Sequence, residues 1–194
     1  IIQSKNEGLA YFSNNLAESV DPGDAHTKAR GCVFDDCRGY AAIHAHNDNT
    51  GVWENCTFRN LSSIQHAVRH GYTVSCMFEE CSFGGGSPDA LIIGSDEFGL
   101  IHGNVIMHCS GGYAITDWLE GNELITNNQI YQFNGTAGIL VDSFEAFVIG
   151  NVLDGGQYDY ALELNNGRGT IVRDNIFYNG SSGRINHNIV NALV

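Results

Sequence analysis

An all-β solenoid of short stacked coils is the fold class that three observations predict. The first is an echo: LIHGNVI, from Leu100 to Ile106, returns as LITNNQI, from Leu124 to Ile130. The second is how far the echo extends. An anchor residue followed two places later by a large apolar one recurs at Cys32, Cys56, Cys81, Asn104, Asn128, Asn151 and Asn175, with gaps of 24, 25, 23, 24, 23 and 24 residues, before a final NIV at Asn188 breaks the spacing. The third is what fills each unit. Short runs of mixed Ile, Val, Phe and Leu are separated by Gly, Asn, Asp and Ser, which reads as strand and turn with no room for a helix. A period in the low twenties also suits leucine-rich repeats, but those need several Leu at fixed offsets, which this chain lacks.

Each unit therefore reads as three strands. Before the anchor lie the apolar pairs Val52-Trp53, Met77-Phe78, Leu100-Ile101, Leu124-Ile125, Phe147-Val148 and Ile171-Val172. The anchor opens the next strand, whose apolar residue two places on (Phe34, Phe58, Phe83, Ile106, Ile130, Leu153 and Phe177) is expected to form an interior stack. About ten places after each anchor, a small residue followed by an aliphatic one marks the third strand: Ala42-Ile43, Ala67-Val68, Ala90-Leu91, Ala114-Ile115, Gly138-Ile139 and Ala161-Leu162. Asn at a tight turn tolerates left-handed backbone, and coils about 4.8 Å apart let Asn amides hydrogen-bond along the stack. The repeated Asn is thus expected to be a structural ladder, with Cys, a small apolar residue, in the same slot of the first three coils.

On these anchors the chain resembles the right-handed parallel β-helix proteins of the pectate-lyase-like group, over roughly residues 31–188. The resemblance implies a right-handed parallel β-helix of about seven coils and leaves the activity open, because that fold hosts many functions. Residues 1–30 read as a partial coil at Leu9–Phe12 and a turn-rich SVDPGDAH segment, and residues 31–194 as the β-helix domain. The chain opens at Ile1 without Met or a charged and apolar leader, so any signal segment or larger N-terminal part is expected to be missing from it. No apolar run is long enough for a membrane-spanning helix. Neither end carries a strong cap over its strand edges, which suits an excised piece or a unit that forms a homo-oligomer or stacks end to end.

Six Cys raise the question of disulfides. Cys32, Cys56 and Cys81 share one expected column, where three cannot all pair, and Cys37, Cys76 and Cys109 fall at other offsets, so mostly buried free thiols are expected. The glycosylation sequons at Asn55, Asn60, Asn134 and Asn179 carry little weight in so Asn-rich a chain. A net charge of -13 argues against nucleic acid and membrane as partners. It also bears on sugars: an anionic polyuronate would need Ca²⁺ or a local Arg or Lys to be received, whereas a neutral polysaccharide would not.

Chemistry is expected on an outer face, since a β-helix fills its interior. If Ile43, Leu91, Ile115, Ile139 and Leu162 point inward, then His44, Arg69, Ile92, Thr116, Leu140 and Glu163 form one outward row, and His46, Gly71, Gly94, Trp118, Asp142 and Asn165 a second. Such a face suits a sugar: His44, Arg69, Asp142 and Glu163 as catalytic candidates, with Trp118, Thr116 and His46 to bind substrate. Asp142 and Glu163 lie one coil apart, and a separation of roughly 5 to 7 Å would span both glycosidase geometries. Asp117 joins Asp142 as a second pair only if a bulge turns it outward; Asp89, Asp96 and Asp159 are weaker candidates. Galacturonan hydrolases of this fold carry a Gly-His-Gly segment, which is absent. His44 and His46, with His66 or His70, could chelate an ion, but carboxylates at matching offsets are missing and no metal site is assigned. The expectation is an extracellular, cell-surface or virion carbohydrate-binding or carbohydrate-active β-helix of lyase, hydrolase or epimerase type. The alternative is a structural solenoid: a tailspike stem, an adhesin or a filament unit.

Overall fold

The computed structural model describes residues 11–13, 16–17, 28–36, 38–44, 51–62, 64–69, 72–84, 90–94, 99–118, 122–166, 168–178 and 182–187. Among the described residues the chain forms three parallel sheets, one of seven strands and two of eight. Every coil visits them in the same order. Sheet 1 holds the three-residue strands before the anchor, from Lys28–Arg30 to Ile171–Arg173; sheet 2 holds the strands of two or three residues just after it, from Tyr11–Ser13 to Ile176–Phe177. Sheet 3 holds the longest strands, among them Arg38–His44, Tyr113–Trp118, Asn134–Asp142 and Gln157–Leu164. Strands before residue 31 already take part, with Tyr11 paired to Val33 and Lys28 to Val52.

Short strands suffice because each needs only one inward side chain per coil. From residue 33 onward the central residue of each strand in sheets 1 and 2 is buried and its neighbours are half-buried or exposed, as in Leu100–His102 and Val105–Met107. Stacked coils then align like with like: the rings of Phe34, Phe58 and Phe78 lie parallel with centroids 4.8 and 4.7 Å apart. In sheet 3 the small residues Ala67, Ala114, Gly138 and Ala161 face inward where the coil is tightest. A Cβ on Gly138 would stand 2.2 Å from Leu153 Cδ2.

The corner between sheets 1 and 2 divides its work between two residues. The one before the anchor takes the left-handed backbone (Gly31, Asn55, Ser75, Gly103, Asn127, Gly150 and Asp174), whereas the anchor supplies the side chain. The expectation that the ladder Asn itself adopts the left-handed conformation is therefore corrected; the ladder itself is present. Asn104 Nδ2 donates to Asn128 Oδ1 at 2.9 Å, Asn128 Nδ2 to Asn151 Oδ1 at 3.0 Å and Asn151 Nδ2 to Asn175 Oδ1 at 2.9 Å.

Two expectations of register are corrected here. The third coil anchors at Cys76, not Cys81: Met77 N donates to Cys56 O, and Val105 N to Cys76 O. Met77-Phe78 consequently lies in sheet 2, Tyr72–Val74 supplies sheet 1, and Phe78 replaces Phe83 in the interior stack. Cys81 belongs to the next corner, with Leu61, Cys109 and Phe133. In sheet 3, Ile92 aligns with Val68 and Ile115, so Ile93, not Ile92, occupies the outward row with Arg69 and Thr116. Gly94 moves with it, opposite Asp117. Cys32, Cys56, Cys76, Cys81 and Cys109 are buried free thiols; Cys37 lies outside the described residues.

Candidate functional site

Parallel pairing in sheet 3 builds one outward row from His44, Arg69, Ile93, Thr116, Leu140 and Glu163. A second row places Trp118 beside Asp142, and Asn165 N donates to Val141 O one coil further on. Four of the proposed residues thus share the first row, but facing outward does not make them accessible. Thr116 is 0 % exposed and Leu140 4 %, which closes the middle of the face and corrects the role of Thr116 as a substrate-binding residue. The side chains of His44, Arg69 and Trp118, and the whole of His46, His70, Asp89 and Asp96, lie outside the described residues.

Asp117 does not turn outward. Its partner Val141 belongs to the core, and Asp117 itself is fully buried. Ser143 Oγ donates to its Oδ2, while Oδ1 has no partner. Burial pushes the carboxyl up to about 7, Ser143 offsets part of this, and the charge of Asp142 adds to it. A second interior carboxyl, which sequence reasoning did not single out, enters at the same corner: Glu123 Oε1 lies 2.1 Å from where a Cβ on Gly94 or Gly99 would stand. A side chain at either position would displace the Glu123 carboxyl.

The accessible chemistry sits where sheet 3 ends and the chain turns towards sheet 1. Glu163 is half-buried; burial raises its pKa, a hydrogen bond with Tyr113 lowers it, and the charges of Asp142 and Asp159 raise it further. Asp142, two residues out of step with Glu163 on the neighbouring coil, accepts a hydrogen bond from Asn166 Nδ2. That offset sets the two Cα atoms about 8 Å apart, from the rise per residue and the strand spacing. Just beyond Asp142, Ser143 turns inward while Phe144 stands 52 % exposed. Glu145, in the left-handed conformation, donates through its backbone N–H to Arg168 O on the next coil. Phe144, Glu145, Arg168 and Gly169 line an open cavity of about 610 Å³.

An aromatic face, a guanidinium and carboxylates within two adjacent coils can stack on a sugar ring and hydrogen-bond its hydroxyls. The sequence signal for this corner was present in an outlying Phe within SFEA and an NGRG turn one coil on. Strand alternation does not reach it, because both segments lie on turns. Among the described residues no three His, Cys, Asp or Glu side chains converge on a point that could hold a metal ion. His66 is fully buried, its Nδ1 3.1 Å from Ala90 O.

Coil, ladder and corner define a parallel β-solenoid whose outer turns carry its variable chemistry. The chain belongs to the right-handed β-helix family: a family model described as right handed beta helix region matches residues 19–191. No curated protein matches the chain.

Proposed function

We propose that this β-helix binds a polysaccharide at the outer corner following sheet 3, outside the cell or on a cell or virion surface. The observation that carries the reading is the cavity lined by exposed Phe144 with Glu145 and Arg168, two residues along the chain from Asp142; half-buried Glu163 stands further back on sheet 3. Phe144 offers a stacking platform, Arg168 a bidentate donor that suits a uronate carboxylate, and Asp142 with Asn166 acceptors and donors for hydroxyls. Arg168 also answers the charge problem, since an acidic protein needs a local cation to receive an anionic glycan. If the glycan is cleaved, Glu163 is the group suited to deliver a proton, because burial and the charges of Asp142 and Asp159 raise its pKa.

A panel of neutral and uronic-acid polysaccharides tests this, with Ca²⁺ or with chelator, scored for binding, for new reducing ends and for unsaturated products. Binding that falls at least tenfold in Phe144→Ala and in Arg168→Ala supports the site; product lost in Glu163→Gln adds catalysis to it. Absence of binding to every glycan overturns the reading. The outcome would then favour a structural solenoid, which the buried Thr116 and Leu140 at mid-face already suit.

A further inference from the structure

Two thiols stand side by side at the turn that follows sheet 2, and neither the sugar site nor the Asn ladder uses them. Cys81 ends the passage through sheet 2 in the third coil, and Cys109 does so in the fourth. Ser110 N donates to Cys81 O at 2.9 Å and Ser82 bridges to Ser110, so Cys81 and Cys109 are register partners. Their sulfurs point the same way. Cys81 Sγ lies 3.4 Å from Glu79 O and Cys109 Sγ 3.3 Å from Met107 O, and Glu79 and Met107 are themselves partners. The Cys109 thiol donates a hydrogen bond to the Cys81 sulfur, which brings the two sulfurs into contact.

This pair is unambiguous where the other thiol column is not. Cys32, Cys56 and Cys76 also stack, but Cys56 has a thiol on either side and can bond to only one of them. Cys81 has a single thiol neighbour in its column: Leu61 stands on the coil before it, and Phe133 follows Cys109. Parallel neighbours set the two Cα atoms about 4.8 Å apart, inside the roughly 4.4–6.8 Å that a disulfide spans. The Cβ atoms start at about the same spacing and must close to roughly 4 Å. The backbone here is freer to yield than a sheet, because both Cys lie outside the strands and the residues after them pair only through an isolated bridge.

We propose that Cys81 and Cys109 are an oxidation site, joined as a disulfide by exchange with a small-molecule disulfide such as oxidised glutathione while the third and fourth coils form. The Cys81 thiolate attacks one sulfur of the reagent, making a mixed disulfide and expelling one glutathione thiolate. The Cys109 thiolate then attacks the Cys81 sulfur; the bond between the two cysteines forms and the second glutathione thiolate leaves. Each departing thiolate takes up one of the two cysteine protons, so two cysteine thiols are oxidised and one glutathione disulfide is reduced. Burial sets the timing. With Cys81 1 % and Cys109 0 % exposed, the sulfurs are reached before the coils close, and the closed coils then shield the bond from reductants. The bond clasps the chain where thiol rungs give way to amide rungs and the anchor gap stretches to 28 residues, from Cys76 to Asn104. It is independent of the sugar site.

Refolding the whole chain from urea in a mixture of oxidised and reduced glutathione tests the proposal, with free thiols alkylated and peptides mapped by mass before and after reduction. The expected map joins one pair of peptides through Cys81 and Cys109, lighter by two hydrogens than its reduced parts. The oxidised chain is expected to melt about 10 °C above the reduced chain, from closure of a loop of about 28 residues. Cys81→Ala and Cys109→Ala should each abolish that shift, whereas Cys56→Ala, in the other thiol column, should keep it. Should either of the first two variants fail to fold, the wild-type map decides alone. Alkylation of both Cys81 and Cys109 after oxidative refolding, a bond from either to another cysteine, or a joined pair with no rise in melting temperature overturns the proposal.

Discussion

The corner between sheets 1 and 2 is built twice, from Cys32, Cys56 and Cys76 at the N-terminal end and from Asn104, Asn128, Asn151 and Asn175 beyond it. Both solve one problem. The carbonyl at the centre of each sheet 1 strand needs a donor from the following coil, and the side chain supplies it: Cys56 Sγ stands 3.4 Å from Ala29 O and Cys76 Sγ 3.4 Å from Trp53 O, while Asn104 Nδ2 stands 2.9 Å from Thr73 O and Asn128 Nδ2 2.9 Å from Ile101 O. Each anchor also receives a backbone N–H from the coil before it. Asn128 Oδ1 takes it from Asn104, as Cys56 sulfur takes it from Cys32. The two segments meet where Cys76 N donates to Asn104 Oδ1 at 2.9 Å.

What differs is strength. An amide has two donors and two acceptor lone pairs to meet its neighbours; a thiol has one weak donor and a weak acceptor. The Cys segment responds by sharing protons: a hydrogen bond from the Cys76 thiol holds Cys56 down at about 7 against the effect of burial, and Cys76 is pushed up in turn. It also leans on apolar stacking, since the ring stack of Phe34, Phe58 and Phe78 coincides with the Cys coils and gives way to Ile106, Ile130 and Leu153 in the Asn coils.

Breaking the amide segment should therefore cost most. Asn128→Ala strands Ile101 O and the Asn104 amide in a dry interior, and a loss of about 3 kcal/mol is expected in urea unfolding, from roughly 1–3 kcal/mol per buried group left unsatisfied. Asp117 shows what an interior polar group does without a ladder. Its folded pKa, about 7, lies above the ordinary 3.8 of a free aspartate, so the folded chain keeps a proton where the unfolded chain has lost it. Stability from this group is present at low pH and is lost as pH rises from about 4 through 7, on the order of 4 kcal/mol. Asp117→Asn should remove that slope, which unfolding at a series of pH values would show; an unchanged slope would assign it to other groups.

Smaller effects follow in the thiol segment. Cys56→Ala is expected to lower stability by about 1 kcal/mol, since it removes weak bonds and a small apolar volume. A loss equal to that of Asn128→Ala would erase the distinction between the two segments. Least of all should come from the Arg30 and Glu54 pair beside the Cys corner, 59 % and 32 % exposed at the side chain. A double-mutant cycle is expected to yield about 0.2–0.5 kcal/mol, falling with salt.

The same two segments mark where the sequence was legible. In the Asn coils the spacing is regular, and strands, interior stack and ladder partners all fall where the anchors place them. In the Cys coils, CMF at Cys76 and CSF at Cys81 match the pattern equally, and even spacing favoured the wrong one. The actual gaps are 20 residues from Cys56 to Cys76 and 28 from there to Asn104. A turn can lose or gain residues at little cost, whereas a rung out of register forfeits its hydrogen bonds, so structure preserves the rung and not the spacing. The outward row was read correctly for Thr116, Leu140 and Glu163, yet direction did not reveal burial.

By itself the sequence determined the period, the strand-and-turn content, the inward columns of sheets 1 and 2 through most coils, and the ladder. All of these repeat locally, so each unit restates the evidence. Only the tertiary structure decided which Cys occupies the third rung, that Asp117 turns inward against Ser143, that Thr116 lies covered, and that Phe144 and Arg168 share a cavity. Each of these depends on residues some 23 to 28 positions apart that meet only when a coil closes on the one before it, and the exact closure is set by packing and hydrogen bonds between coils.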